Sequence, residues 1–186
     1  MDTAPKILKW RQKLVQEETH SSAHWVLDYV SGEGDFIVAM MDAHWSAKGI
    51  ESDEQKREKA KRRYGVSVIY PNETSKLDEL SFGAVTAWNG LPEEGYLPPL
   101  EALTVFHKVL VENGSLFLAL PSSEYSKENV ATMANEAGFG IDAIFPQPET
   151  GLFSFIQNMS TKKHPESASV IVYHLKKLDT LNFHVF

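Results

Sequence analysis

Short apolar runs alternate with amphipathic or charged stretches along most of this chain. Lys6 to Glu17 predicts a leading helix, with Ile7, Leu8, Leu14 and Val15 available for one face. The run Trp25 to Val30 predicts a buried strand, closed by the turn Ser31-Gly32-Glu33-Gly34, and Phe36 to Met41 a buried helix. Ser46 to Ile50 predicts a second strand, after which Ser52-x-x-Gln55 has the form of a capping box opening a charged helix. That helix is expected to stop near Tyr64-Gly65. Val66 to Tyr70 and Ala84 to Trp88 predict strands three and four. Pro98 and Pro99 stand where a helix can begin, and Leu100, Leu103, Phe106 and Leu110 recur at helical spacing up to Asn113-Gly114. Leu116 to Leu120 predicts strand five, and Ser126 to Gly138 a capped helix. Ile141–Phe145 and Ser169–Leu175 predict two closing strands, while Gly151 to Asn158 fits either a strand or a short helix.

Strands that are apolar without alternation need cover on both faces, which is the mark of a mostly parallel sheet between helices. The two late strands lack a convincing helix between them and predict an antiparallel edge. The expectation is therefore an α/β, Rossmann-like fold: a mostly parallel seven-stranded sheet with an antiparallel edge strand and helices on both faces. With no repeat or linker, residues 1–186 read as one domain, with 1–22 a leading helix and 23–178 the core.

Composition narrows the chemistry. Cysteine is absent, which excludes disulfides, thiolate metal sites and cysteine nucleophiles. The net charge of −7 is the wrong sign for a nucleic-acid binder. The basic run Lys56 to Arg63 is interleaved with acids, with Asp53–Arg57 and Glu58–Arg62 at the i, i+4 spacing of an exposed helix face. No segment approaches the roughly 20 apolar residues of a membrane span, and the first residues lack a signal-peptide pattern, so the expected location is cytoplasmic. His24, His44, His107, His164, His174 and His184 show no metal-ligand spacing, and none is nominated as a catalytic base.

In open α/β sheets, ligands bind beyond the carboxyl ends of the strands. Three features converge there: Gly32 and Gly34 after the first strand, Glu51 at the end of the second, and Asn72 after the third. Glu51 lies about 20 residues on from Gly32, where a carboxylate accepts hydrogen bonds from ribose hydroxyls. Asn72 offers an amide to an adenine edge. A dinucleotide would need a third glycine where Ile37 stands, and its pyrophosphate would face Asp28, Glu33 and Asp35. Those carboxylates suit a cationic cofactor, S-adenosylmethionine (SAM).

The stretch Val26 to Gly34 resembles the first motif of the class I SAM-dependent methyltransferases, commonly V-L-D-x-G-x-G-x-G. Gly49-Ile50-Glu51 resembles the second motif, Phe82 to Asn89 the fourth strand, Phe106 to Leu116 the helix and strand around R-V-L-K-P-G-G, and Ala137-Gly138-Phe139 the A-G-F helix end. The resemblance implies a methyltransferase fold holding SAM, with Asp28, Tyr29, Gly32, Gly34, Glu51, Ser52, Asn72, Ala87 and Trp88 as candidate cofactor-binding residues. Trp88 fits the core equally well, and Glu93-Glu94-Gly95-Tyr96 fits a lid over an acceptor pocket or a solvated loop. Val30, Asn72 and Gly83 depart from the family pattern, which commonly has glycine, aspartate and aspartate there. Retained Gly32, Gly34 and Glu51 imply methyl transfer to a small-molecule acceptor. Val30, Asn72 and the missing base imply instead an inactive methyltransferase-fold protein acting as a binding or scaffold partner.

Overall fold

The computed structural model describes residues 5–92, 94–148 and 168–178. The expected Gly151–Asn158 element and His164 and His184 lie outside them. Helix α1 (Pro5–Glu18) leads into β1 (Trp25–Tyr29), α2 (Asp35–Asp42), β2 (Ser46–Ile50), α3 (Glu54–Tyr64) and β3 (Val68–Ile69). A 3-10 helix (Pro71–Lys76) then precedes β4 (Phe82–Ala87), α4 (Pro99–Val109), β5 (Leu110–Pro121), α5 (Lys127–Glu136), β6 (Phe139–Pro146) and β7 (Val170–Lys177). The seven strands form one sheet in the order β3-β2-β1-β4-β5-β7-β6. The first five run parallel; β7 enters antiparallel between β5 and the edge strand β6.

Both faces of the sheet are buried, so alternate residues of one strand serve two cores. Val26, Ala84, Phe117 and Val172 pack with Leu14 and Val15 of α1 and Phe36 and Met40 of α2. Leu27, Tyr29, Val85, Leu116, Leu118 and Tyr173 face Leu103, Phe106 and Val130 of α4 and α5. This double burial is why the strands read as continuous apolar runs. Among the described residues no helix is long and apolar enough to cross a membrane.

Four local expectations need correction. The cap of α3 is Asp53, not Ser52: its Oδ1 accepts the Gln55 and Lys56 N–H groups. Arg57 does not reach back to Asp53 but donates to the Glu51 and Ser52 carbonyls at 2.8 and 2.7 Å, stitching α3 to the end of β2. Helix α4 ends at Val109, and Leu110 already pairs with Phe82, so the helical spacing of Leu110 belongs to a strand. Only Val68 and Ile69 of the expected Val66–Tyr70 strand join the sheet. Val66 instead packs against the first glycine loop, where a Cβ on Gly34 would lie 3.2 Å from it.

Candidate functional site

The carboxyl ends of β1, β2 and β4 meet around the loop after β1. Its backbone keeps the left-handed turn that glycine suits: Val30 has φ 60°, Gly32 59° and Gly34 90°. Left-handed geometry is an outlier for a β-branched residue and costs roughly 1–2 kcal/mol. It is held by the Asn89 side-chain amide donating to the Val30 carbonyl at 3.0 Å and by Ser31 N–H donating to the Ile50 carbonyl at 2.9 Å. Val30 therefore holds a backbone conformation that glycine would adopt without strain.

Glu51, 1% exposed, organises the centre of the site. The Gly32 N–H donates to Oε2 at 2.9 Å, and the Asp53 N–H donates to Oε1, also at 2.9 Å. A third donor comes from the loop before α4: the Tyr96 hydroxyl, 2.7 Å from Oε1. Ser52 contributes its N–H to that same hydroxyl at 3.1 Å. Tyr29 is fully buried, with its hydroxyl accepting the Leu97 N–H at 3.2 Å. Burial pushes the Tyr29 hydroxyl up to about 12 and raises that of Tyr96 as well, so both stay protonated at neutral pH. The residues Tyr96 and Leu97 are thus tied to the end of β2 and to Tyr29, and are not a freely solvated loop; Glu93 lies outside the described residues.

Toward β4 a narrow cavity of about 50 Å³ remains, lined by Arg11, Asp28, Gly32, Phe36, Trp88 and Asn89 among others. Asp28 is buried, and its Oδ1 accepts the Thr86 hydroxyl at 2.7 Å. Burial raises its carboxyl to about 7, helped by nearby Glu51 and opposed by Thr86 and Arg11. Arg11, buried on α1, stacks its guanidinium 5.0 Å from the Trp88 ring centre and donates to the Gln147 side-chain oxygen at 2.7 Å. Burial lowers Arg11 to about 10, with Asp28 acting against the shift. No carboxylate lies within 4.0 Å of it among the described residues. The indole Nε1 of Trp88 and the Ser31 hydroxyl are buried there without a hydrogen-bond partner. Orphaned donors of this kind await an acceptor.

The other predicted residues divide. Trp88 is both core and site: it packs on Phe36 and Phe117 while lining the cavity. Ala87 is buried at the end of β4. Gly34 meets Val66 and Ala60, so its missing side chain serves helix packing. Asn72 is exposed on the 3-10 helix and does not line the cavity. All three acids expected around the loop line the cavity, but Glu33 pairs with Lys59 at 2.8 Å and Asp35 accepts the Tyr64 hydroxyl at 2.8 Å, and of the three Asp28 alone is buried. His107 sits edge-on to Phe139, and His24 stacks on Trp45. Among the described residues no His, Asp and Glu cluster could hold a metal. Arg11 and Tyr96 are the site residues that motif reasoning does not assign. Arg11 had a signal, since a charge three residues from both Leu8 and Leu14 lies on the apolar stripe of α1.

No family model and no curated protein matches the sequence. Solved structures do match the fold. A SAM-dependent methyltransferase from Archaeoglobus fulgidus is 13% identical with a TM-score of 0.66, covering 94% of this chain and 95% of its own. The 1,6-didemethyltoxoflavin-N1-methyltransferase of Burkholderia thailandensis, solved with 1,6-didemethyltoxoflavin and S-adenosylhomocysteine, is 16% identical with a TM-score of 0.67 over 93% of this chain and 79% of its own. Geranyl diphosphate C-methyltransferase from Streptomyces coelicolor A3(2) is 10% identical with a TM-score of 0.68 over 91% and 76%. The chain has the Rossmann-like fold of SAM-dependent methyltransferases.

Proposed function

We propose that this chain is a SAM-dependent methyltransferase acting on a small-molecule acceptor. The observation that carries the proposal is Glu51: a buried carboxylate at the end of β2, fixed by two backbone N–H groups, whose remaining donor is a hydroxyl. That is the arrangement a ribose hydroxyl needs. The amino-acid end of SAM is a zwitterion, and the cavity offers it a buried carboxyl in Asp28 and, for its carboxylate, Arg11 with the unpartnered Trp88 N–H. The donor set fits the cofactor. The space is small beside the roughly 300–1,000 Å³ of ordinary ligand sites, and Glu51, joined to its lining through the Gly32 N–H, is held by the Tyr96 hydroxyl, so binding requires the site to open.

When bound, SAM supplies an electrophilic methyl carbon for in-line displacement. The chain's contribution is then placement: Glu51 holds the ribose, Arg11 and Asp28 fix the other end, and Phe36 and Trp88 wall the space between. Among the described residues no histidine lines the cavity. The acceptors that suit this are nucleophiles needing no protein base, such as amines or carbanions. The small-molecule class is supported by the net charge of −7 and by two structural neighbours named for methylating 1,6-didemethyltoxoflavin and geranyl diphosphate.

Titration calorimetry with SAM and S-adenosylhomocysteine tests the proposal. Native protein should bind both, and Glu51→Ala should weaken binding on the order of tenfold to a hundredfold, since it removes a charged acceptor. Arg11→Met keeps a long side chain over Trp88 and should weaken S-adenosylhomocysteine about tenfold. It should leave 5′-methylthioadenosine, which lacks the amino-acid end, unchanged. A second reading, an inactive scaffold, is favoured by the closed 50 Å³ cavity and the Val30 side chain within its lining. Failure of the native protein to bind either ligand would select it.

A further inference from the structure

The segment 94–97 is built to close. Gly95 (φ 78°) lies so near β2 that a Cβ there would be 3.1 Å from the Ser52 side chain. The Tyr96 ring packs edge-on to Tyr29, centroids 5.2 Å apart, and Leu97 is tied to the Tyr29 hydroxyl. The two ends differ in stiffness: Gly90, at φ 76°, precedes the segment, and Pro98 and Pro99 bind it to the start of α4. At the centre, one phenolic O–H donates to the carboxylate that a ribose O–H would need.

We infer that Tyr96 is a built-in competitor for the ribose position, so that an adenosine cofactor reaches Glu51 only by displacing it. The inference rests on the SAM-binding reading above and adds what sets the affinity at that site. Oε1 already accepts the Asp53 N–H and the Tyr96 hydroxyl, which take both of its lone pairs, so a ribose hydroxyl at that oxygen replaces Tyr96 and the closed population subtracts from apparent affinity in proportion. The hydrogen bond from Tyr96 to the Glu51 carboxylate is charge-assisted, and its loss shifts the balance toward the open form. Displacement also couples the site to α4, because the loop runs directly into the first turn of that helix.

Tyr96→Phe tests this, since it removes the hydroxyl and keeps the ring against Tyr29. S-adenosylhomocysteine should bind Tyr96→Phe on the order of tenfold tighter than native protein. Gly95→Ala disturbs closure through the backbone without touching Glu51 and should shift affinity in the same direction. Hydrogen exchange gives a readout free of ligand: the Ser52 amide, which donates to the Tyr96 hydroxyl, should exchange faster in Tyr96→Phe. Equal or weaker S-adenosylhomocysteine binding by both variants, with native protein binding, overturns the competitor role. No binding by any of the three overturns the cofactor reading and the competitor role with it, and Ser52 exchange then shows whether Tyr96 holds the loop for structural reasons alone.

Discussion

Asp28→Asn is expected to stabilise the protein at pH 8 by on the order of 2–4 kcal/mol while weakening its hold on SAM. The Asp28 carboxyl is raised from 3.8 to about 7, chiefly by burial. A group with a raised folded pKa contributes stability that is complete below its unfolded pKa and is lost as pH rises through the folded one. At pH 8 the native fold therefore carries an ionised, desolvated carboxylate. Asparagine still accepts the Thr86 hydroxyl through its oxygen and carries no charge to desolvate. Arg11 loses a favourable neighbour in the exchange, which trims the gain. Equilibrium denaturation at pH 8 and pH 4 checks this: the variant's advantage should be large at the first and vanish at the second. Equal stability at pH 8 would mean the carboxylate is solvated in place.

The same variant should expose an opposite slope from β7. His174, 1% exposed, is stacked on Phe117 at 4.8 Å, and its Nδ1 lies 3.3 Å from an Asp142 oxygen without hydrogen-bond alignment. Burial lowers it to about 4, with Lys176 adding to the shift and Asp142 opposing it. Its neutral form is the one the fold accepts, so its contribution is present above its unfolded value near 6.5 and is lost as pH falls toward 4. In native protein the two groups offset one another between pH 4 and 6.5. In Asp28→Asn the loss from His174, on the order of 3 kcal/mol, should appear unmasked as acid sensitivity.

Most of the fold was legible because parallel strands buried on both faces leave unbroken apolar runs, and β1, β2 and β4 stand close to where those runs lie. Leu110 misled because helical periodicity and a strand start coincide there; tertiary pairing with Phe82 decides it. Glu51 and Gly32 were legible from spacing, and the structure joins them through one hydrogen bond. Tyr96 was legible only as part of a lid or a solvated loop, and its contact with Glu51 was not, for a physical reason: the two are 45 residues apart, and loop residues carry no period that announces a long-range contact. Asn72 follows strand three as expected and stands exposed in the 3-10 helix there.

Gly83→Ala is expected to cost at least about 3 kcal/mol, the upper range for overpacking, and so to lower the melting temperature by roughly 6–12 °C. A Cβ on Gly83 would stand 1.8 Å from the carbonyl oxygen of Ala23, a backbone atom on the approach to β1. Relief would require moving Ala23, yet Val26 three residues later is fixed in register with Ala84, directly after Gly83. The two strands cannot separate at one end without losing that pairing. Any side chain at this position would share its volume with the backbone of Ala23, which accounts for the glycine through packing alone. Gly32→Ala makes the contrast. A Cβ there meets nothing within 4 Å, so its cost is limited to the positive φ of 59°, roughly 1 kcal/mol. Thermal melts of the two variants separate a glycine kept for the sheet from one kept for the site. Gly83→Ala melting within 2 °C of native protein would show that β4 shifts freely against Ala23, and the glycine would then need another explanation.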